Sequence, residues 1–216
     1  NLMKTIKNRV LYVSIIWIIL FSCNAPTENT SETKTAKLPL PYIGNLDFDY
    51  NDNGDIIDTI FHTVPTFAFT AHDSTLITSK NVNGKIYVAN FFFTSCPSIC
   101  PRMTENMKVL HETTADIEEI LFLSHTVDPK HDTLERLNNY IDVRNIDVSD
   151  NWFFLHSTQE YTYEIGKYGY LINAEVDPEA EGGFLHSEHF VLIDREGRIR
   201  GMYDGTKKAK IEDLEV

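Results

Sequence analysis

The chain has 216 residues, of which 42% are hydrophobic and 24% charged. That length and mix fit one globular domain with extensions and exclude both wholesale disorder and a membrane protein of many spans. Its 19 Lys and Arg stand against 32 Asp and Glu, a formal charge of −13, so acidic a chain that nucleic-acid binding through a basic footprint is excluded.

The first 22 residues read as an export address. Lys4, Lys7 and Arg9 precede the mostly apolar run from Val10 to Ser22, which is shorter than the ~20 residues a membrane-spanning helix needs. Its end, Leu20-Phe21-Ser22-Cys23, resembles the lipobox of bacterial lipoproteins, in which the Cys becomes the lipidated first residue. Residues 1–22 are therefore expected to be a lipoprotein signal peptide and Cys23 the lipidation site. Asn24 to Lys37 holds no large apolar side chain and cannot bury enough surface to fold. Residues 23–39 thus read as a lipidated Cys and a flexible linker, holding the protein at the cell membrane and facing the periplasm or the exterior. With Cys23 consumed by lipid, Cys96 and Cys100 are left as an even pair in an oxidising compartment.

The body, 40–216, shows no internal repeat. Residues 56–62 and 66–70 predict short strands leading to a turn at Asp73-Ser74, and Asn83-Gly84 is a second turn signal. The apolar run that follows, KIYVANFFFTS, predicts a central strand buried on both faces. Met103, Met107 and Leu110 lie at helical spacing between Arg102 and Glu112, and 119–126 predicts another buried strand. Asp132 followed by Glu135 has the spacing of a capping box, opening a helix with Leu134, Leu137 and Ile141 on one face. Residues 152–155 predict a strand, Thr158 to Tyr168 a helix, and 189–194 with 198–203 a hairpin around Arg195-Glu196-Gly197. Strands alternating with helices and closed by an antiparallel hairpin predict a three-layer α/β sandwich. Ile211-Glu212-Asp213-Leu214 reads as the opening of a closing helix that the chain cuts short.

The sharpest motif is Thr94-Ser95-Cys96-Pro97-Ser98-Ile99-Cys100-Pro101. It places two cysteines where a buried strand gives way to a helix, the edge at which α/β sheets bind ligands. A helix N-terminus stabilises a thiolate, so a depressed thiol pKa is expected there. Thiolates are soft ligands suited to Cu(I), Zn or Fe–S centres, and two alone do not complete such a site. A plain structural disulfide is the alternative, although so small a loop contributes little chain-entropy stabilisation. Cys100, Met103 and Met107 could form a soft-ligand stripe, but a helix face in a sandwich is more often core. His125 and His156, alternating with apolar residues near strand ends, read as structural histidines with satisfied rings, and Asp128 as ordinary Asp-Pro turn chemistry or an orienting group.

These residues resemble the Sco/SenC copper chaperones of cytochrome oxidase assembly. Asn83-Gly84-Lys85 with the following strand, and Phe93 through Thr104, match that family's core signature. Val127-Asp128-Pro129-Lys130-His131-Asp132-Thr133 resembles its second block, with His131 where the family usually has Arg. Phe184-Leu185-His186-Ser187 resembles its third, and Leu192 and Gly197 keep the family spacing into the hairpin. The resemblance implies a thioredoxin-like fold and a copper site of Cys96, Cys100 and His186, with His189 as a competitor for the third position. It also implies delivery of copper to a haem–copper oxidase subunit or another copper-accepting protein. The same Cys96/Cys100 pair supports thiol–disulfide exchange as the alternative. Against that alternative, thioredoxin-like reductases use Cys-x-x-Cys and place a Pro before the terminal hairpin, where this chain carries a His-bearing loop.

Overall fold

A computed structural model of the chain describes residues 40–117, 119–148, 151–179 and 183–208, with the backbone alone for Val176, Leu185 and His186. The expected signal peptide, Cys23, the linker through residue 39 and the helix opening at Ile211 lie outside these residues. Strands β1 (Leu46–Tyr50) and β2 (Ile56–Phe61) pair with each other as a separate antiparallel ribbon. Then come β3 (Ala68–Ala71), β4 (Leu76–Thr78), the short helix α1 (Ser79–Val82) and β5 (Ile86–Phe92). The chain continues through α2 (Cys100–Thr113), β6 (Ile120–Thr126), α3 (Leu134–Val143), β7 (Trp152–His156) and α4 (Gln159–Glu164). It closes with a small β8 (Ala174–Val176) and β9 (Phe184–His186) hairpin and the pair β10 (His189–Ile193) and β11 (Ile199–Asp204).

Seven strands form the main sheet in the order β11-β10-β5-β6-β7-β3-β4. Its centre is parallel, β5 beside β6 beside β7, and β10 and β3 flank that centre antiparallel. The parallel register aligns Val88 with Phe122 and Phe122 with Trp152, so one face carries these side chains together with Asn90, Ser124 and Phe154. Helices α2 and α3 cover it: the His111 ring stands 5.1 Å from Phe122, and the Tyr140 ring 6.2 Å from Phe154. On the other face, Phe91 and His125 are register partners, covered by Tyr170 and by Gly166 after α4. Helix, sheet, helix: the three-layer α/β sandwich is the architecture observed, with the terminal hairpin in place. Trp152, Tyr87, Phe91 and Phe122 are almost free of solvent, each contributing ~1.5–3 kcal/mol or more of burial.

Three expectations change in detail. Helix α3 is capped by Thr133, whose side chain accepts from the Arg136 amide, and not by Asp132. A carboxylate at residue 132 has stronger donors elsewhere and turns inward. The helix expected from Thr158 to Tyr168 ends at Glu164 and continues as one π-helical turn, Ile165–Gly169. There Tyr170 N donates to Ile165 O at 3.0 Å. Gly166 and Gly169 are the physical reason, because a Cβ on them would stand 3.2 Å from the Phe91 ring and 3.0 Å from Pro65. Widening the turn lets the bare backbone lie against the sheet. Finally, His125 is buried but not satisfied. Neither ring nitrogen has a hydrogen-bond partner among the described residues, whereas His156 Nε2 reaches Pro129 O at 3.0 Å as expected.

Candidate metal centre

Strand β5 ends at Phe92 in the middle of the sheet, and α2 begins at Cys100, so the cysteine loop occupies the C-terminal edge of the central strands. Two prolines shape it: Pro97 in the loop, and Pro101 in the first turn of α2, where its missing N–H costs nothing. The loop folds back on itself through Cys96 N to Phe93 O, 3.3 Å. The Cys100 amide, at the start of the helix, donates to Cys96 Sγ at 3.5 Å. Both residues are buried and both stand as thiols. Sequence reasoning placed the pair together, and the structure does the same.

The electrostatics differ from the expectation. Cys100 sits at the positive end of α2, yet its thiol is pushed up, first by the hydrogen bond with Cys96 and then by burial. Both causes favour the protonated sulfur over the thiolate and oppose the helix N-terminus. Met103 and Met107 are fully buried in the core, so the stripe they form with Cys100 faces packing and not an incoming ion.

His186 lies on β9, its backbone paired with Ala174 of β8. That strand is brought to the cysteine loop by aromatic packing, the Phe184 ring standing 5.1 Å from Phe93. Phe184 is two residues before His186, and Phe93 three before Cys96. His189 is placed differently, on β10 opposite Asp204. Its Nδ1 is 2.5 Å from Ser187 Oγ, which also accepts from the His189 amide. It borders a cavity of about 330 Å³ with Met202 and Leu171. Among the described residues no group of three or more His, Cys, Asp and Glu side chains is gathered as a metal site, and the His186 side chain is outside that description.

One participant was not legible in the sequence. Asp132 is completely buried and takes both the amide and the hydroxyl of Thr94, at 2.9 and 2.5 Å. Asp128, expected in a turn, supplies the carbonyl that accepts from His131 N and Asp132 N. Its own carboxyl is pushed up by burial and by the charge of Asp132.

Residues 58–214 match the family model described as SCO1/SenC. The chain is 27% identical over 161 residues to the SCO1 protein homolog of Bacillus subtilis strain 168, covering 74% of this chain and 82% of that one. A SCO1/SenC family lipoprotein from Bacillus anthracis superposes with a TM-score of 0.64 at 31% identity, over 71% of this chain and 90% of that one. The copper-bound ScoI of Bradyrhizobium japonicum superposes with a TM-score of 0.56 at 22% identity, over 71% and 98%, a likeness of fold alone. The fold of all these is the thioredoxin-like sandwich described above.

Proposed function

We propose, for a chain that belongs to the SCO1/SenC family, the function of a copper metallochaperone. It is held at the cell membrane by a lipid on Cys23 and faces the periplasm or the exterior. It takes copper as cargo through Cys96, Cys100 and His186 and passes it by ligand exchange to a haem–copper oxidase subunit. Membership of a family whose relatives include a lipoprotein and a copper-bound protein supports this reading. The observation that carries it is the pair of adjacent buried thiols on a loop packed through Phe93 against the strand of His186. Two thiolates and an imidazole suit Cu(I), and each thiol gives up its proton on binding. His186 is preferred to His189 because Phe184-Leu185-His186-Ser187 keeps the spacing of the family's third block.

The closeness of the two cysteines, with the Cys100 amide donating to Cys96 Sγ at 3.5 Å, favours thiol–disulfide exchange as a second reading. The two uses exclude one another, since a Cys96–Cys100 disulfide has no thiolate left to donate. Cu(I) titrated into the reduced full chain is expected to bind tightly, and into the oxidised chain not at all. Cys96→Ser or Cys100→Ser abolishes tight binding, and His186→Ala weakens it while His189→Ala does not. Equal affinity in the reduced and oxidised samples would make the metallochaperone reading give way.

A further inference from the structure

We propose that Asp132 is the positioning residue of the cysteine loop, its buried carboxylate fixing the loop's exit from β5 to the body of the sheet. The inference deepens the proposed function and rests on it for the identity of the cargo. Each carboxylate oxygen receives two donors. Oδ1 accepts from Thr94 Oγ1 at 2.5 Å and His131 Nδ1 at 2.9 Å. Oδ2 accepts from Thr94 N at 2.9 Å and Thr126 Oγ1 at 2.6 Å. The acceptor capacity of an ionised carboxylate is about four, so the group is saturated. Thr126 closes β6 opposite Phe92 of β5, a point the sheet holds rigid. Thr94 lies two residues before Cys96. The carboxylate therefore transmits the position of β6 to the loop through two bonds to one residue, one from its main chain and one from its side chain.

The arrangement suits a carboxylate. An amide at residue 132 keeps one oxygen, so either the Thr94 amide loses its acceptor or Thr94 Oγ1 and His131 Nδ1 must both turn from donating to accepting. Burying a lone charge is unfavourable unless it is fully hydrogen-bonded. A loop needing only stability would be held as well by apolar packing, whereas geometry at Cys96 calls for directional bonds.

The test uses the full chain carrying Asp132→Asn, Thr94→Val or Thr94→Ser, each checked for cooperative unfolding. Two quantities are read: Cu(I) affinity by competition with a chromophoric chelator, and the dithiol–disulfide equilibrium of Cys96 and Cys100 against glutathione. Asp132→Asn and Thr94→Val are expected to weaken Cu(I) binding at least tenfold. They are expected to move the thiol equilibrium at least tenfold, about 30 mV, while Thr94→Ser matches the parent. A lowered melting temperature with both quantities unchanged would mark Asp132 as merely structural and overturn the proposal. If Asp132→Asn does not fold, Thr94→Val decides. If the parent chain binds no Cu(I), the metallochaperone reading falls, and the glutathione equilibrium still judges Asp132.

Discussion

Protonating His125 places a cation between the rings of Phe69 and Phe91, whose centroids are 4.7 and 4.9 Å away. Tyr170 is the titratable group facing it, 5.4 Å off and itself held neutral by burial. Burial accordingly pushes the imidazole down to about 3. The sign follows from which state takes the proton. Below about pH 6.5 the unfolded chain binds a proton at residue 125 that the folded chain refuses, so stability is intact above that pH and is lost as pH falls toward 3. Over the whole window the loss from this one group is on the order of 5 kcal/mol. His125→Phe, similar in volume, is expected to flatten the acid limb of a stability–pH curve measured by urea unfolding. An unchanged limb would mean that the site gains a partner on protonation. Single residues show where sequence reading works and where it stops. Cys96 and Cys100 declare themselves by type and spacing. Asp132 looks like a helix cap, because two of its three donor residues, Thr94 and Thr126, are remote in sequence or on another element.

Between β5, β6 and β7 runs a buried polar chain. Trp152 Nε1 donates to Ser124 Oγ at 3.0 Å, and Ser124 Oγ donates to Asn90 Oδ1 at 2.7 Å. Asn90 and Ser124 are register partners on β5 and β6, and Trp152, the register partner of Phe122, stands on the same face two residues before Phe154, the partner of Ser124. A slip of one residue would turn each to the opposite face, so the chain specifies register where hydrophobic runs alone do not. Ser124→Ala removes the shared hydroxyl and leaves the Trp152 and Asn90 groups without it. It is expected to cost about 2 kcal/mol, larger than a single exposed hydrogen bond, as a lower urea midpoint with an unchanged slope. The strands themselves were legible because buried runs such as Ile86–Phe92 exceed what a half-exposed strand would carry. The π-turn was not, because it answers to the contact of Gly166 with Phe91, and β8 and β9 are too short to leave a period.

At the scale of the whole molecule, the proposed ligands come from two segments far apart in sequence. The cysteine loop follows the central strand, and His186 arrives on a hairpin inserted just before β10. The alternation of strands and helices made the sandwich readable, and family spacing made the third block readable. The Phe93–Phe184 contact that joins them is a product of folding. The same sheet has two outer edges, β4 and β11, and β4 has only three residues. Along β11 the N-terminal segment lies as a strap: Ile43 N donates to Ile199 O at 2.9 Å. Arg200 reaches back to the carbonyls of Leu40 and Pro41, its guanidinium 4.3 Å above the Tyr42 ring. An uncovered edge strand is a template for a neighbour's backbone, so the strap is expected to guard against self-association. A version of the domain beginning at Leu46 is expected to form dimers and larger species by size-exclusion chromatography with light scattering, while one beginning at Pro39 stays monomeric. Two monomers would show that β11 is safe without its guard. The first few residues of the body would then owe their place on the sheet to stability alone, and not to keeping copies of the chain apart.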